Sequence, residues 1–564
     1  MNKLKSLLAY RIPMSMPTLV TLCALYFGTV MNYPVISTIF DLSADVPNPL
    51  FAYTAPLLLT AAFVIIFSAF AWSYVFKPFM VFVMVTSAAA LFASVNFHTL
   101  FDTSMMENVF ETNSAEIAFY INPTSILYLF AFGIAPSTLL LMVRITPQRS
   151  FGRAVFTRVG IILAAILVIG LIAISCYKEY ASVGRNNKYL NKMIIPAHIF
   201  NGVRYLDETY FTTPLSYTTQ GEDATVAPSD NSKPTLMVVV LGETARSMNF
   251  AYNGYERNTN PYTQDLGLIA FQDVSSCGTY TALSVPCMFS NMTRNDYDKE
   301  QAAAQDNSLN VLQHAGVDVL WIDNDGGDKG AANHVPYLAI DAALKDEKCD
   351  GSTCFDAVML NDAKQFMRPE MTSHDLVPSS ASKPIVDSHA ANKLLVLHTI
   401  GSHGPTYYQR YPDDKAPFQP ACNRSDIEHC TDQEIKNVYD NTLVYTDYVL
   451  AQVVDALKDA SKDYNVVMTY ISDHGESLGE GGFYLHGAPY AIAPKEQKHV
   501  PWLMWIPEQY AQQKQIDTQC LQQASQTGHF SHDNLFDTLL GLYGVKSRIH
   551  DPNLDIIQSC RTAA

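Results

Sequence analysis

Apolar residues fill the first third of the chain in long runs, near residues 16–36, 53–75, 78–98, 123–143 and 159–177. Each run is long enough to cross a bilayer core, which takes about 20 residues of helix. Five membrane helices are therefore expected, and none of the runs reads as a cleaved signal peptide. The pattern changes after Pro234, where short apolar runs alternate with stretches of helical character. The runs are "TLMVVVLGE" (235–243), "VDVLWIDN" (317–324), "LLVLHTIGSHG" (394–404) and "YNVVMTYISDHGE" (464–476). Such runs, bounded by polar residues and separated by helices, predict a doubly wound α/β domain with a mostly parallel sheet covered on both faces. The expected divisions are a five-helix transmembrane domain over 1–178, a linker over 179–233 and a second domain over 234–564. Within the linker, "NKYLNKMIIPAHIFNGVRYL" mixes lysines with large apolar residues, a composition that suits either the membrane surface or a plain connection.

Charge sets the orientation. Lys3, Lys5 and Arg11 precede the first run, Lys77 lies between the second and third, and Arg144, Arg149 and Arg153 lie between the fourth and fifth. The alternate loops, 37–52 and 99–122, contain no lysine or arginine. The excess of positive charge on cytoplasmic loops places the N-terminus in the cytoplasm and everything after residue 178 on the far side. The cysteines agree. Of the ten, Cys23 and Cys176 fall in apolar runs, and the other eight all lie in the exported part. Close spacing suggests the pairs 277–287, 349–354 and 422–430, with 520 and 560 left over. A cysteine zinc site is the rival, but no Cys-x-x-Cys occurs. The formal charge of −17 excludes nucleic acid as a natural partner, because phosphate binding requires a basic surface.

Candidate chemistry sits where the strands are expected to end. Glu243 follows the first run, Asp323 and Asn324 the second, Ser402 and His403 the third, and Asp473 and His474 the fourth. In open α/β sheets the ligand site lies beyond the carboxyl ends of the strands. A single strand-end Asp is more often a turn former or a helix cap, whereas four strands delivering such groups to one edge favour a site. Carboxylates and imidazole suit zinc, which favours deprotonation of an oxygen it holds. Hydroxyl nucleophiles need such help at neutral pH. "SSCGTYTALSVPCMFS" (275–290) offers a hydroxyl: Thr281 opens an expected short helix, tolerable if Pro286 sits in its first turn. The positive end of that helix dipole suits an anionic phosphate. The bland alternative is that Thr281 only caps the helix.

"GETAR", "SCGTYTALSVPCMFS", "GSHGP" and "SDHGESLGEGGFYLHGAPY" occur in this order, and with them the whole chain resembles the lipid A phosphoethanolamine transferases, a family that includes the mobile colistin-resistance enzymes. The resemblance implies an alkaline-phosphatase/sulfatase-like fold for the exported domain. It implies zinc (Zn2+) held by Glu243, Thr281, Asp473 and His474, with Thr281 as nucleophile and Thr279 as its non-nucleophilic neighbour. His403 and His486 match family histidines near the phosphoryl group, and Lys329 matches a lysine that would stabilise phosphoryl charge. His499, His529 and His532 are read as structural or as supports behind the residues that hold the site. Asn108, Thr112 and Glu116 recur every fourth residue, so they line one face if the loop is helical. Alone they read as a solvated polar face; the family match implies donor binding, with Glu116 on the ethanolamine ammonium and the other two on the phosphate. Gly326 stands where relatives often carry serine, and replacing it by serine is expected to be neutral or mildly improving.

The implied reaction carries phosphoethanolamine from phosphatidylethanolamine through Thr281 to a lipid A phosphate. It lowers outer-membrane negative charge and so weakens polymyxin binding. The implied setting is a monomeric multi-pass enzyme of a Gram-negative inner membrane, with its catalytic domain in the periplasm. The alternatives are transfer to an inner-core sugar or a periplasmic glucan, a phosphoglycerol transferase of the lipoteichoic-acid-synthase type, and a catalytically silent membrane-anchored binding protein.

Overall fold

The structure, a computed structural model, describes residues 11–562 except 46–47, 49–50, 113–116, 118–119, 147–149, 188, 212–214, 227–232, 342–347, 350–352 and 378–391. Lys3, Lys5, Glu116 and Arg149, all named above, lie outside the described residues. The chain divides into two compact units, one of residues 1–109 with 121–211 and the other of residues 110–120 with 212–564.

The first unit is helical. Phe51–Ala69, Phe76–Asn96, Pro123–Met142 and Phe151–Tyr180 are each long and apolar enough to span a membrane. Large apolar side chains such as Leu163, Leu167 and Ile174 are exposed on the last of them, as a lipid-facing helix requires. The first expected run is not one straight helix. Met16–Met31 and Tyr33–Leu42 meet at 56°, so the described residues hold four candidate spans, or five if this bent pair is one. The break has a local cause. Pro34 has no N–H for the helical ladder, and the buried Asn32 side chain donates to the carbonyls of Phe27 (2.8 Å) and Ile195 (2.7 Å). The linker contributes the helix Ala197–Tyr210, which leaves Phe200, Val203 and Tyr210 exposed.

The second unit is built on a seven-stranded sheet. Its strands are β1 (Thr235–Gly242), β2 (Ile269–Phe271), β3 (Asp318–Asp323), β4 (Tyr337–Ala339), β5 (Lys393–His398), β6 (Asn465–Ser472) and β7 (Trp502–Trp505). They run in the order β2-β7-β6-β1-β5-β3-β4. The five strands from β6 to β4 are parallel, and β7 and β2 add an antiparallel edge. Every residue of β1, β5 and β6 is buried, so both sheet faces are covered, as the unbroken apolar runs predict. Each Val or Leu so enclosed contributes about 1.5–3 kcal/mol relative to exposure.

Register fixes the position of the site. Gly242 pairs with Ser472, Leu241 with His398, and His398 with Asp323. The carboxyl ends of β6, β1, β5 and β3 are thus level, and the residues at or just past them share one edge. All four disulfides are formed, Cys277–Cys287, Cys349–Cys354, Cys422–Cys430 and Cys520–Cys560, while Cys23 and Cys176 are free and buried.

Candidate active site

Helix α1 (Thr281–Phe289) begins at the expected nucleophile. Its N-cap is Tyr280, in an extended conformation and with no side-chain capping bond, so Thr281 is the first helical residue and not the cap. Its hydroxyl is buried and lies 3.2 Å from each carboxylate oxygen of Glu243 and 3.4 Å from His474 Nε2. Thr279 points elsewhere and donates to the Ala488 carbonyl at 2.7 Å. The Thr279 carbonyl accepts from the Gly487 N–H, so this threonine clasps the loop that carries His486. Pro286 falls in the second turn of α1, not the first as expected. A nine-residue helix loses a single ladder bond to this proline, and the Cys277–Cys287 bridge ties the same turn to the preceding loop.

Glu243, Asp473 and His474 present ligand atoms within 4.8 Å of one another, and all three are buried. Asp473 Oδ1 accepts the N–H groups of Thr244 (3.1 Å) and His474 (2.7 Å). Its Oδ2 is buried without a hydrogen-bond partner and lies 3.2 Å from His474 Nε2. His474 Nδ1 faces the Gly475 carbonyl at 2.9 Å, which fixes the proton on Nδ1 and turns the Nε2 lone pair toward Glu243 at 3.4 Å. An orphaned carboxylate oxygen, a second carboxylate, an oriented imidazole and a hydroxyl at one point form a donor set that fits a divalent metal ion.

Three further expected residues lie at this edge. His486 Nδ1 bonds Glu476 Oε2 at 2.9 Å, and Glu476 also accepts the Tyr407 hydroxyl at 2.6 Å. The His486 ring is 4.6 Å from that of His474 and 5.4 Å from that of His403, centroid to centroid. The Lys329 ammonium is close enough to Asp325 to favour its charged form, against burial and the Glu243 charge, which together push that carboxyl well up. The three adjoining non-glycine positions Thr244, Lys329 and Leu485 all have left-handed φ, of +52°, +50° and +61°. Each such residue costs on the order of 1–3 kcal/mol, held by the surrounding packing.

Of the donor triad, Asn108 lies on the helix Thr103–Glu111 and Thr112 follows its last residue. Residues 110–120 group with the second unit, where Glu111 pairs with Lys299 at 3.0 Å. The expectation for Gly326 needs correction: its φ is +90°, which a serine adopts only with strain. Its N–H donates to Asp323 at 2.9 Å.

Sequence reasoning missed Glu476, Asp325 and His398, and left His532 as either structural or a support for the site. In the structure His532 joins two parts of the site, since its Nδ1 accepts the Cys277 N–H at 3.1 Å and its Nε2 donates to the Ser472 carbonyl at 2.9 Å. Ser284 on α1 donates to the Asp473 carbonyl. Arg246 of "GETAR" binds Glu480 (2.7 Å) and the Glu476 carbonyl (3.2 Å), joining the first and last motifs.

A parallel sheet with buried carboxylate and imidazole ligands at its strand ends, and a hydroxyl at a facing helix start, defines an enzyme of the alkaline-phosphatase and sulfatase class. Residues 235–545 match the family described as Sulfatase, and residues 59–210 that described as Phosphoethanolamine transferase EptA/EptB. The phosphoethanolamine transferase EptA of Escherichia coli (strain K12) is 37% identical over 546 residues, 96% of each chain. The phosphatidylethanolamine transferase Mcr-1 of Escherichia coli is 32% identical over 549 residues, 95% of this chain and 96% of that one. The solved integral membrane protein lipooligosaccharide phosphoethanolamine transferase A (EptA) from Neisseria meningitidis matches with a TM-score of 0.90 at 34% identity, covering 98% of this chain and 100% of that chain. The chain belongs to the phosphoethanolamine transferase family.

Proposed function

We propose that this protein transfers phosphoethanolamine from phosphatidylethanolamine to a phosphate of lipid A, using Thr281 as a covalent relay, from the inner membrane with its second unit in the periplasm. The observation that carries the reading is the Thr281 hydroxyl, buried at a helix start within 3.2 Å of Glu243 and free of any capping role. Glu243, Asp473, His474 and Thr281 would hold zinc. When bound, the ion supplies positive charge that makes the threonine oxygen more acidic and stabilises phosphoryl charge.

In the first step Thr281 Oγ1 forms a bond to the phosphorus as the bond to the diacylglycerol oxygen breaks, and the hydroxyl proton passes to the Glu243 carboxylate. The leaving oxygen takes a proton from His486, whose other nitrogen is held by Glu476, with His403 beside it. In the second step a lipid A phosphate gives its proton to His486 and its oxygen attacks the same phosphorus, the bond to Thr281 breaks, and the threonine oxygen regains its proton from Glu243. Lys329 and the α1 N-terminus oppose the charge on the phosphoryl oxygens in both steps.

Residues 108–116 are assigned to the donor: Glu116 on the ammonium, Asn108 and Thr112 on the phosphate. Glu111, beside this stretch, pairs with Lys299 of the catalytic unit at 3.0 Å, which supports this assignment. The product carries less negative charge, which weakens cationic peptides such as polymyxins. Lipid analysis of cells expressing the wild-type protein or Thr281→Ala tests the reading. Phosphoethanolamine on lipid A is expected with the first alone; its appearance on a glycan and not on lipid A would redirect the acceptor assignment.

A further inference from the structure

A cavity of about 210 Å³ lies in the first unit, at the cytoplasmic ends of its helices. Four stretches wall it: residues 16–20 at the start of the bent pair, 71–73 after the span Phe51–Ala69, 145–146, and 151–161 at the start of the span Phe151–Tyr180. A short parallel ladder, Ile12–Met14 with Val143–Ile145, brings residues 145–146 beside the first helix, and the Thr146 N–H donates to the Met14 carbonyl at 2.9 Å. The cavity is amphipathic. Ser73, Thr146 and Arg158 are its polar part, and Val20, Val155 and Ile161 its apolar part. Trp72, Phe151 and Val155 line it and are exposed, so it opens toward the bilayer and is not sealed inside the bundle.

Charge on this side is one-sided. Residues 1–15, 70–77 and 143–158 hold eight lysines and arginines and no aspartate or glutamate, in a chain of net charge −17. Cations in the loops need no ligand, because orientation alone calls for them. Two are used within the protein: Arg11 donates to the Leu141 carbonyl at 2.7 Å, and Lys77 to the carbonyls of Leu141 (3.2 Å) and Val143. Arg158 is different. It lies seven residues past Phe151, about 10 Å along the helix, where an arginine is costly unless it is paired or lines a polar cavity. Its guanidinium stacks on Trp72 at 4.3 Å and donates to the Ala71 carbonyl. Among the described residues no carboxylate pairs with it. Stacking holds the fork in one plane and leaves further N–H donors at its edge for an anion.

We propose that this cavity holds the head group of an anionic phospholipid of the cytoplasmic leaflet, with Arg158 on its phosphate and Trp72 at the head-group boundary. Basic pockets between membrane helices on this side suit such lipids. The volume agrees, since a pocket that encloses a whole ligand is about 300–1,000 Å³, and this one fits a head group whose chains stay in the bilayer. The lack of carboxylates selects the lipid class. A zwitterionic head group brings an ammonium that these stretches give no partner, whereas a phosphatidylglycerol-type head group brings only the phosphate charge and hydroxyls for Ser73 and Thr146. The site is thus distinct from donor binding on the periplasmic side and does not depend on the acceptor.

The test uses full-length protein, delipidated in detergent and titrated with phosphatidylglycerol or phosphatidylcholine, with bound lipid counted by native mass spectrometry. The wild type should bind phosphatidylglycerol about tenfold more tightly than phosphatidylcholine, and millimolar inorganic phosphate should not displace it. Arg158→Gln should weaken phosphatidylglycerol about tenfold while keeping its thermal transition. Arg153→Gln is the control: this arginine is exposed on the same helix outside the cavity, and its loss should change binding by no more than about twofold. A photoreactive phosphatidylglycerol should cross-link the wild type within residues 71–73 or 145–161, in competition with the unlabelled lipid. The wild-type measurements decide the matter even if Arg158→Gln fails to fold. Equal binding of the two lipids, displacement by inorganic phosphate, equal loss in the two variants, or competed cross-links only outside those residues would each overturn the proposal.

Discussion

His532 accepts the backbone N–H of Cys277 and donates to the carbonyl of Ser472, so one neutral imidazole ties the nucleophile loop to the end of β6. Burial pushes its pKa down to about 4 from an ordinary 6.5. As pH falls below 6.5 the unfolded chain binds a proton that the folded chain refuses. Stability is therefore full above pH 6.5 and falls as pH drops toward 4, by about 3 kcal/mol for this group. Thermal unfolding of the wild type should lose more between pH 6.5 and 4 than that of His532→Gln. Parallel pH profiles would mean that His532 is not held neutral.

Gly401 is pressed against Glu243, a proposed metal ligand. With φ at +49°, a Cβ there would lie 2.7 Å from the Glu243 carbonyl and 3.2 Å from the Glu243 Cβ. Gly401→Ala should displace Glu243, weakening metal binding and lowering turnover about tenfold or more, as misplaced ligands do. Gly254→Ala is the control, since it shares a positive φ (+87°) but meets nothing within 4 Å. It should show the strain and keep its metal. Equal metal retention by the two variants would contradict the account of Gly401.

In the proposed mechanism Glu476 acts through His486, which it holds at 2.9 Å. Glu476→Gln keeps the shape of the side chain but no longer fixes the proton on His486 Nδ1, and turnover should fall about 10–100-fold. The loss should fall on kcat, with KM for the donor little changed, and the alkaline limb of the pH–rate profile should move, because His486 must carry the proton it gives up. An unchanged profile with a raised KM would make Glu476 a contributor to binding instead.

The strands that bear the site were legible because β1, β3, β5 and β6 each carry an apolar run that ends in polar residues. The disulfides formed are the three pairs that close spacing suggested, together with Cys520–Cys560, which spacing left open. What escaped was non-local. Ile269–Phe271 and Trp502–Trp505 are three and four residues long and are strands only through each other and β6. Helix α2 (Asp432–Ala460) carries polar residues on its buried face. Asp440 accepts from Asn249, Tyr255 and Arg257, and Asp447 from Asn260 and Tyr262, so burial there is satisfied by partners nearly 200 positions away. His398 escaped for a related reason. Inside "LLVLHTIGSHG" it reads as a strand residue, and only register with Leu241 and Asp323 brings it to the ligand edge.

Thr281 is the residue proposed to carry the phosphoethanolamine group between donor and acceptor, and everything else at the site serves that transfer. The direct measurement is peptide mass spectrometry of the full-length enzyme incubated with phosphatidylethanolamine in the absence of lipid A and quenched in acid. The peptide spanning residues 278–294 should gain one phosphoethanolamine, localised to Thr281, and should lose it when lipid A is added before quenching. Thr281→Ala should form none while keeping its thermal transition. A modification on Thr279, or competent transfer with the peptide never modified, would contradict the account.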